Sequence, residues 1–97
     1  MTGLNVYYYV KKGMMRKFID ALDKNSIAEQ CREENGCLQY DYYISKDHPE
    51  TVLLLIERWE NSDAQKTHTM QPHFLLLQQF KAKYVDKTEF FNYSECK

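Results

Sequence analysis

The chain has 97 residues, with 13 Lys and Arg against 14 Asp and Glu, for a formal net charge of −1. A single domain is all this length supports, since a domain of that size buries only about 60–70% of the surface its unfolded chain exposes and has no room for a second core. The balanced charge offers no basic stripe for phosphate, so nucleic acid is not an expected partner, and the longest apolar run, VLLLI, is far short of a membrane span.

LNVYYYVK, residues 4–11, is rich in β-branched and aromatic residues and ends at Lys12-Gly13, which predicts a first strand closed by a turn. From Met14 the period changes. Met15, Phe18, Ile19, Leu22, then Ser26/Ile27 and Cys31 follow helical spacing with charged residues opposite, which predicts one amphipathic helix of about five turns ending at Asn35-Gly36. CLQYDYYIS reads as a second strand, with Leu38, Tyr40, Tyr42 and Ile44 on one face and Gln39, Asp41 and Tyr43 on the other, and KDHPE as its turn. TVLLLIERWE is the third strand, apolar on both faces until Glu57, as in a strand covered from both sides.

Asn61-Ser62-Asp63 offers side-chain oxygens that cap a short helix, SDAQKTHTM. Pro72 is tolerated only in a first turn, so a further helix starts there and carries Phe74, Leu75, Leu77 and Phe80. KTEFFNY, residues 87–93, closes the chain as a strand.

The order β-α-β-β-α-β predicts an α+β, ferredoxin-like fold: a four-stranded antiparallel sheet with helices on one face. Tyr, Leu and Trp side chains alternate onto the other face too, and a large apolar face is rarely left in water. A homodimer packed sheet to sheet is therefore expected, with Leu53 or Leu55 facing the partner. The start, MTGLNVYYYVKKG, has no basic segment followed by a signal-peptide-like apolar stretch, and a cytoplasmic location is expected. Cys31, Cys37 and Cys96 are odd in number and lack C-x-x-C spacing, so three free thiols are expected.

VKKGMMRKFIDAL, EENGCLQYDYYIS, IERWENSDAQKTH and MQPHF together resemble the antibiotic biosynthesis monooxygenase family over nearly the whole chain. The most specific pieces are Glu57, Trp59, His68, Pro72, His73 and Phe74, and the E-x-x-G-C of Glu33 to Cys37. The resemblance is nearest to the quinol monooxygenase and autoinducer-2 phosphate isomerase branches. It implies a dimeric α+β barrel with no metal, haem or flavin, and it says much less about substrate. One branch degrades haem with an Asn on the first strand and a Trp and an iron-ligating His on the second helix. Here the only Trp is at a strand end and Asn5 falls one residue out of step, so haem degradation is not expected.

On an unbroken helix His68 and His73 stand about 500° apart, or about 140° after a full turn, and do not converge. With no obvious third ligand, zinc is not expected. The break at Pro72 frees the geometry, so one His can end the short helix and the other start the next, both facing a cavity of a few hundred Å³ near Trp59. An imidazole, with an ordinary pKa of about 6.5, suits proton abstraction from a phenol, quinol or carbon acid, and the resulting anion can reduce dioxygen without a cofactor. Both histidines equally suit helix ends that hydrogen-bond backbone. Trp59 and Phe74 suit apolar walls, though a Trp at the end of a core strand also suits plain packing. Glu57 faces the same way as Trp59 and either orients a histidine or pairs with Lys or Arg. Asn5, Tyr7 and Tyr9 share a face that lines either a substrate pocket or the dimer seam, and His48 belongs to an exposed turn.

The catalytic candidates are thus His68 and His73, with Trp59, Phe74, Glu57 and Asn5 as substrate-binding candidates. The expected activity is cofactor-independent monooxygenation of a small aromatic or quinol-like substrate by dioxygen. Two alternatives stand beside it: a cofactor-free isomerase of a small phosphorylated ketone, with Lys12, Arg16 and Lys66 as available cations, and a non-catalytic dimer that binds a small ligand.

Overall fold

In the computed structural model, which describes residues 1–94, the chain runs β1 (Thr2–Val10), α1 (Met15–Lys24), α2 (Ile27–Arg32), β2 (Cys37–Ile44), β3 (Val52–Trp59), α3 (Ser62–His68), α4 (Pro72–Tyr84) and β4 (Val85–Ser94). Cys96, expected as a free thiol, lies outside the described residues. The sheet order is β2-β3-β1-β4 and every neighbouring pair is antiparallel, which is the ferredoxin-like α+β arrangement.

Strand alternation divides the sheet into two chemically different faces. Leu4, Val6, Tyr8 and Val10 of β1 and Leu53, Leu55, Glu57 and Trp59 of β3 are buried. They pack with Tyr40 of β2 and with Phe18, Leu22, Ile27, Cys31 and Leu77 from the helices. The intervening residues Asn5, Tyr7 and Tyr9 pair in register with Ile56, Leu54 and Val52 on the opposite face, which no element of the described chain covers. Leu53 and Leu55 both point to the helices, contrary to the expectation that one of them meets a partner. The outward residues of β3 are Val52, Leu54 and Ile56, because side chains two apart share a face.

The single five-turn helix expected after the first turn is two helices. At the junction Ser26 adopts a left-handed φ of 50°. The Asn25 side chain donates to the Ala21 carbonyl at 2.8 Å, and the Gln30 side chain donates to the Asn25 carbonyl at 2.9 Å. The Asn25 side chain competes in this way with the helical ladder. The break re-aims α2 so that Ile27 and Cys31, each 0% exposed, turn inward, and it carries the end of α2 toward α3 and α4. At the other end β4 starts at Val85 directly after α4, two residues earlier than the aromatic run suggests.

Candidate active site

The site is assembled from three chain segments. The first is the junction of α3 and α4. Asn61 caps α3 by accepting the Ala64 N–H at 2.9 Å. Beyond His68 the chain tightens, with Thr69, Met70 and Gln71 N–H groups donating to the carbonyls of Lys66, Thr67 and His68. Pro72 then takes the first position of α4, where its missing N–H costs nothing. His68 is therefore the last residue of one helix and His73 the second of the next, with ring centroids 6.2 Å apart.

The second segment is the end of β3. Glu57 and Trp59 point to the helix side, and the Trp59 indole Nε1–H donates to Glu57 Oε1 at 3.0 Å. The Trp59 ring lies 4.7 Å from the His68 ring at a tilt of 33°, and Phe74 meets His68 edge-on at 5.1 Å. Desolvation raises the Glu57 carboxyl above its ordinary pKa, against the opposing pull of the Trp59 hydrogen bond and His68.

The third segment, the turn after α2, supplies Glu34. Its Oε2 lies 2.7 Å from His68 Nδ1 and 2.7 Å from His73 Nε2. An ionised carboxylate oxygen only accepts, so both imidazoles present an N–H to the same atom. Glu34 Oε1 is buried without a hydrogen-bond partner. The turn is held by Gly36, whose φ of +87° suits glycine and whose Cα lies so close to α3 that a Cβ would come 2.7 Å from Ala64 Cβ. The Gly36 carbonyl also accepts the Glu60 N–H at 2.7 Å, which ties the turn to the end of β3.

His68, His73, Trp59, Glu57 and Phe74 are thus brought together. Asn5 is not. It lies on the uncovered sheet face, where Asn5, Tyr7, Tyr9, Glu89 and Phe91 line a concavity of 380 Å³ and Tyr9 O–H donates to Glu89. The reason is the alternation of β1, which turns even-numbered residues to the helices and odd-numbered ones away.

The open cavity expected beside Trp59 is filled by protein instead. Trp59 is 0% and His68 2% exposed, with Tyr40 and Phe74 against the imidazole. The cluster reaches the surface only at its edge, where the side chains of His73 and Glu34 are 10% and 11% exposed. The cations considered for a phosphate clamp sit elsewhere. Arg16 lies 3.9 Å from Asp20 along α1, and Lys12 and Lys66 are solvent-exposed.

Two members of the site escaped the sequence reading: Glu34 and Cys31. The E-x-x-G-C match falls on Glu33, which is exposed, whereas the inward pair is Cys31, in the last turn of α2, and Glu34, in the turn that follows it. Cys31 Sγ, Glu34, His68 and His73 each offer a donor atom within 4.8 Å of the others. The third and fourth ligand-type groups that are not evident in the sequence are therefore present in the fold. Burial pushes the Cys31 thiol well up and the Cys37 thiol up to about 11, and both are free cysteines.

The molecule is a small α+β protein of the ferredoxin-like class with a carboxylate and imidazole cluster between its helices and sheet. The chain belongs to the antibiotic biosynthesis monooxygenase family, which it matches over residues 1–79. Among solved structures it is similar to a Nitrosomonas europaea protein named for that family, with a TM-score of 0.88, 23% identity and 98% of each chain covered. A Deinococcus radiodurans protein named for the same family matches with a TM-score of 0.87 and 21% identity over 100% of this chain and 94% of that one. A conserved protein of unknown function from Bacteroides thetaiotaomicron matches with a TM-score of 0.80 and 25% identity over 95% of this chain and 96% of the other. No curated protein sequence matches the chain. No helix among the described residues is long and apolar enough to cross a membrane.

Proposed function

We propose that the protein is a cofactor-independent monooxygenase acting on a small phenolic or quinol-like substrate, with His73 as the base at the exposed edge and His68 as its buried partner. The observation that carries this reading is the single Glu34 oxygen placed 2.7 Å from both imidazoles. A carboxylate that accepts one ring N–H fixes the tautomer, leaves the lone pair on the other nitrogen and stabilises the imidazolium once a proton is taken. With His73 Nε2–H committed to Glu34, Nδ1 is the basic atom. It takes the phenolic proton, and the electron-rich anion reduces dioxygen. One oxygen atom enters the ring and the other leaves as water, with all four electrons drawn from the substrate. Phe74 supplies the apolar side of the binding surface, while Trp59, fully buried and held by Glu57, packs behind the His68 ring.

A second copy of the chain is the partner this reading assigns to the uncovered sheet face. Tyr43, Phe91 and Tyr93 are 45%, 54% and 40% exposed there, beside Leu54 and Ile56. An apolar, aromatic face of that extent favours burial against an equal face, which is a closed two-fold contact. Free thiols at Cys31 and Cys37 suit a reducing compartment, and the cytoplasm is the proposed location.

Oxygen uptake with a panel of quinols tests the activity. Turnover above the autoxidation blank is expected, falling about 10²–10⁴-fold in a folded His73→Ala variant. Uptake no faster than the blank with every quinol overturns the reading.

A further inference from the structure

The same cluster has a second chemical capacity that goes beyond the proposed oxidation. We propose that Cys31, Glu34, His68 and His73 form a binding site for one divalent transition-metal ion of the zinc type, and that the metal-bound form is one in which the imidazole base is withheld from substrate.

Four kinds of observation carry this. The donor set is right: one thiol, one carboxylate and two imidazoles are the groups zinc selects, and four of them complete a tetrahedron. The spacing is close to right, with all four donor atoms inside 4.8 Å of one another. A tetrahedral ion needs its ligands roughly 3.3–3.6 Å apart, so the widest donor pair closes by about 1 Å and the site opens slightly where Glu34 Oε2 now touches both nitrogens. The elements are paired for it: Cys31 and Glu34 come from one helix end, and His68 and His73 from the two sides of the Pro72 break.

The surrounding groups also match. Metal-ligating histidines donate their other ring N–H to a carboxylate or carbonyl. When His68 binds through Nδ1 its proton sits on Nε2, which faces Glu57 Oε1 at 3.9 Å. Glu57 is itself anchored by the Trp59 indole, which fixes the direction of that contact. Glu34 Oε1, buried and unpartnered, gives the carboxylate a second oxygen to turn toward the ion.

Binding replaces the N–H protons now pointing at Glu34 and the Cys31 thiol proton; a His73 ring that ligates through Nε2 carries its remaining proton on Nδ1, the atom that otherwise takes the substrate's phenolic proton. Zinc should therefore inhibit any oxidation the cluster performs.

The test is made on the chelator-treated full chain with zinc(II) and cobalt(II). One zinc per chain is expected by titration calorimetry. Cobalt should give the intense visible bands of tetrahedral coordination together with a thiolate-to-cobalt charge-transfer band in the near ultraviolet. Cys31→Ala should lose the charge-transfer band, and His73→Ala, at the exposed edge, should lose tight binding. Glu57→Gln, which leaves all four ligands in place, should weaken zinc binding about 10–100-fold. His48→Ala, on the exposed turn, should bind like the unaltered chain. Weak pink octahedral cobalt, or zinc affinity unchanged when His73 is removed, overturns the site. The readout does not use turnover, so a chain that binds zinc yet consumes no oxygen in its metal-free form refutes the proposed activity alone, and a metal-free chain that consumes oxygen but binds no zinc refutes the metal site alone.

Discussion

Replacing Glu34 by Ala removes one acceptor from two imidazoles at once, and the structure sets the scale of the loss. Each N–H now bonded at 2.7 Å is left pointing at a space without an acceptor. An orphaned buried donor costs about 1–3 kcal/mol, so two cost about 2–6 kcal/mol. Two effects reduce this. The unpartnered Oε1 of Glu34 disappears with the side chain, and water reaches the rim, where Glu34 and His73 are 11% and 10% exposed. A net destabilisation of about 2–4 kcal/mol follows, a large part of the 5–15 kcal/mol typical of a domain. Glu34→Gln keeps a carbonyl acceptor but no charge, and should lose about 1–2 kcal/mol. Urea unfolding followed by far-ultraviolet circular dichroism, in chelator so that no metal contributes, measures both. A double-mutant cycle with His73→Ala should show a coupling of about 0.5–3 kcal/mol. If Glu34→Ala stays within about 0.5 kcal/mol of the unaltered chain, the carboxylate does not hold the imidazoles, and the basis of the proposed chemistry falls with it.

Three further outcomes are expected. Leu54→Glu puts a carboxylate in the middle of the uncovered face and should yield monomers in sedimentation equilibrium, and an unchanged dimer would place the interface elsewhere. Gly36→Ala forces a side chain into a φ of +87° and against Ala64, and should cost about 1–3 kcal/mol; adding Ala64→Gly should return only the steric part. The Glu57 carboxyl is raised by desolvation, so the folded state holds its proton more tightly than the unfolded state. Its contribution to stability is full below the ordinary carboxylate pKa and is lost as pH rises through the raised folded value. Glu57→Gln, which still accepts from Trp59, should therefore raise the melting temperature near pH 7 and lose that advantage toward about pH 4. A stabilisation that grows on acidification would contradict the stated cause.

Local patterns carried most of the fold. Two-residue alternation in LNVYYYV and TVLLLIERW placed each side chain on its face, put Glu57 beside Trp59 and turned Asn5 the other way once the buried face of β1 was known. Asn61 and Pro72 marked a helix start and a helix break through the hydrogen bonds that one supplies and the other cannot make. The break at Ser26 also left a trace, a step of five from Leu22 to Ile27 where an unbroken helix steps by three or four. A single irregular spacing does not specify a left-handed residue, so periodicity alone predicts one long helix there.

The site itself depended on tertiary structure. Glu34 stands 34 residues from His68 and 39 from His73 in sequence, and no spacing rule relates them. They meet because the Ser26 break and the Gly36 turn aim the end of α2 at the α3 and α4 junction, and side-chain packing then closed the space beside Trp59 that two histidines and a tryptophan had suggested. Periodicity reports which face of its own element a residue occupies. Which two faces touch is decided by close packing between elements, and that information is shared across the whole core rather than written in any one stretch of chain.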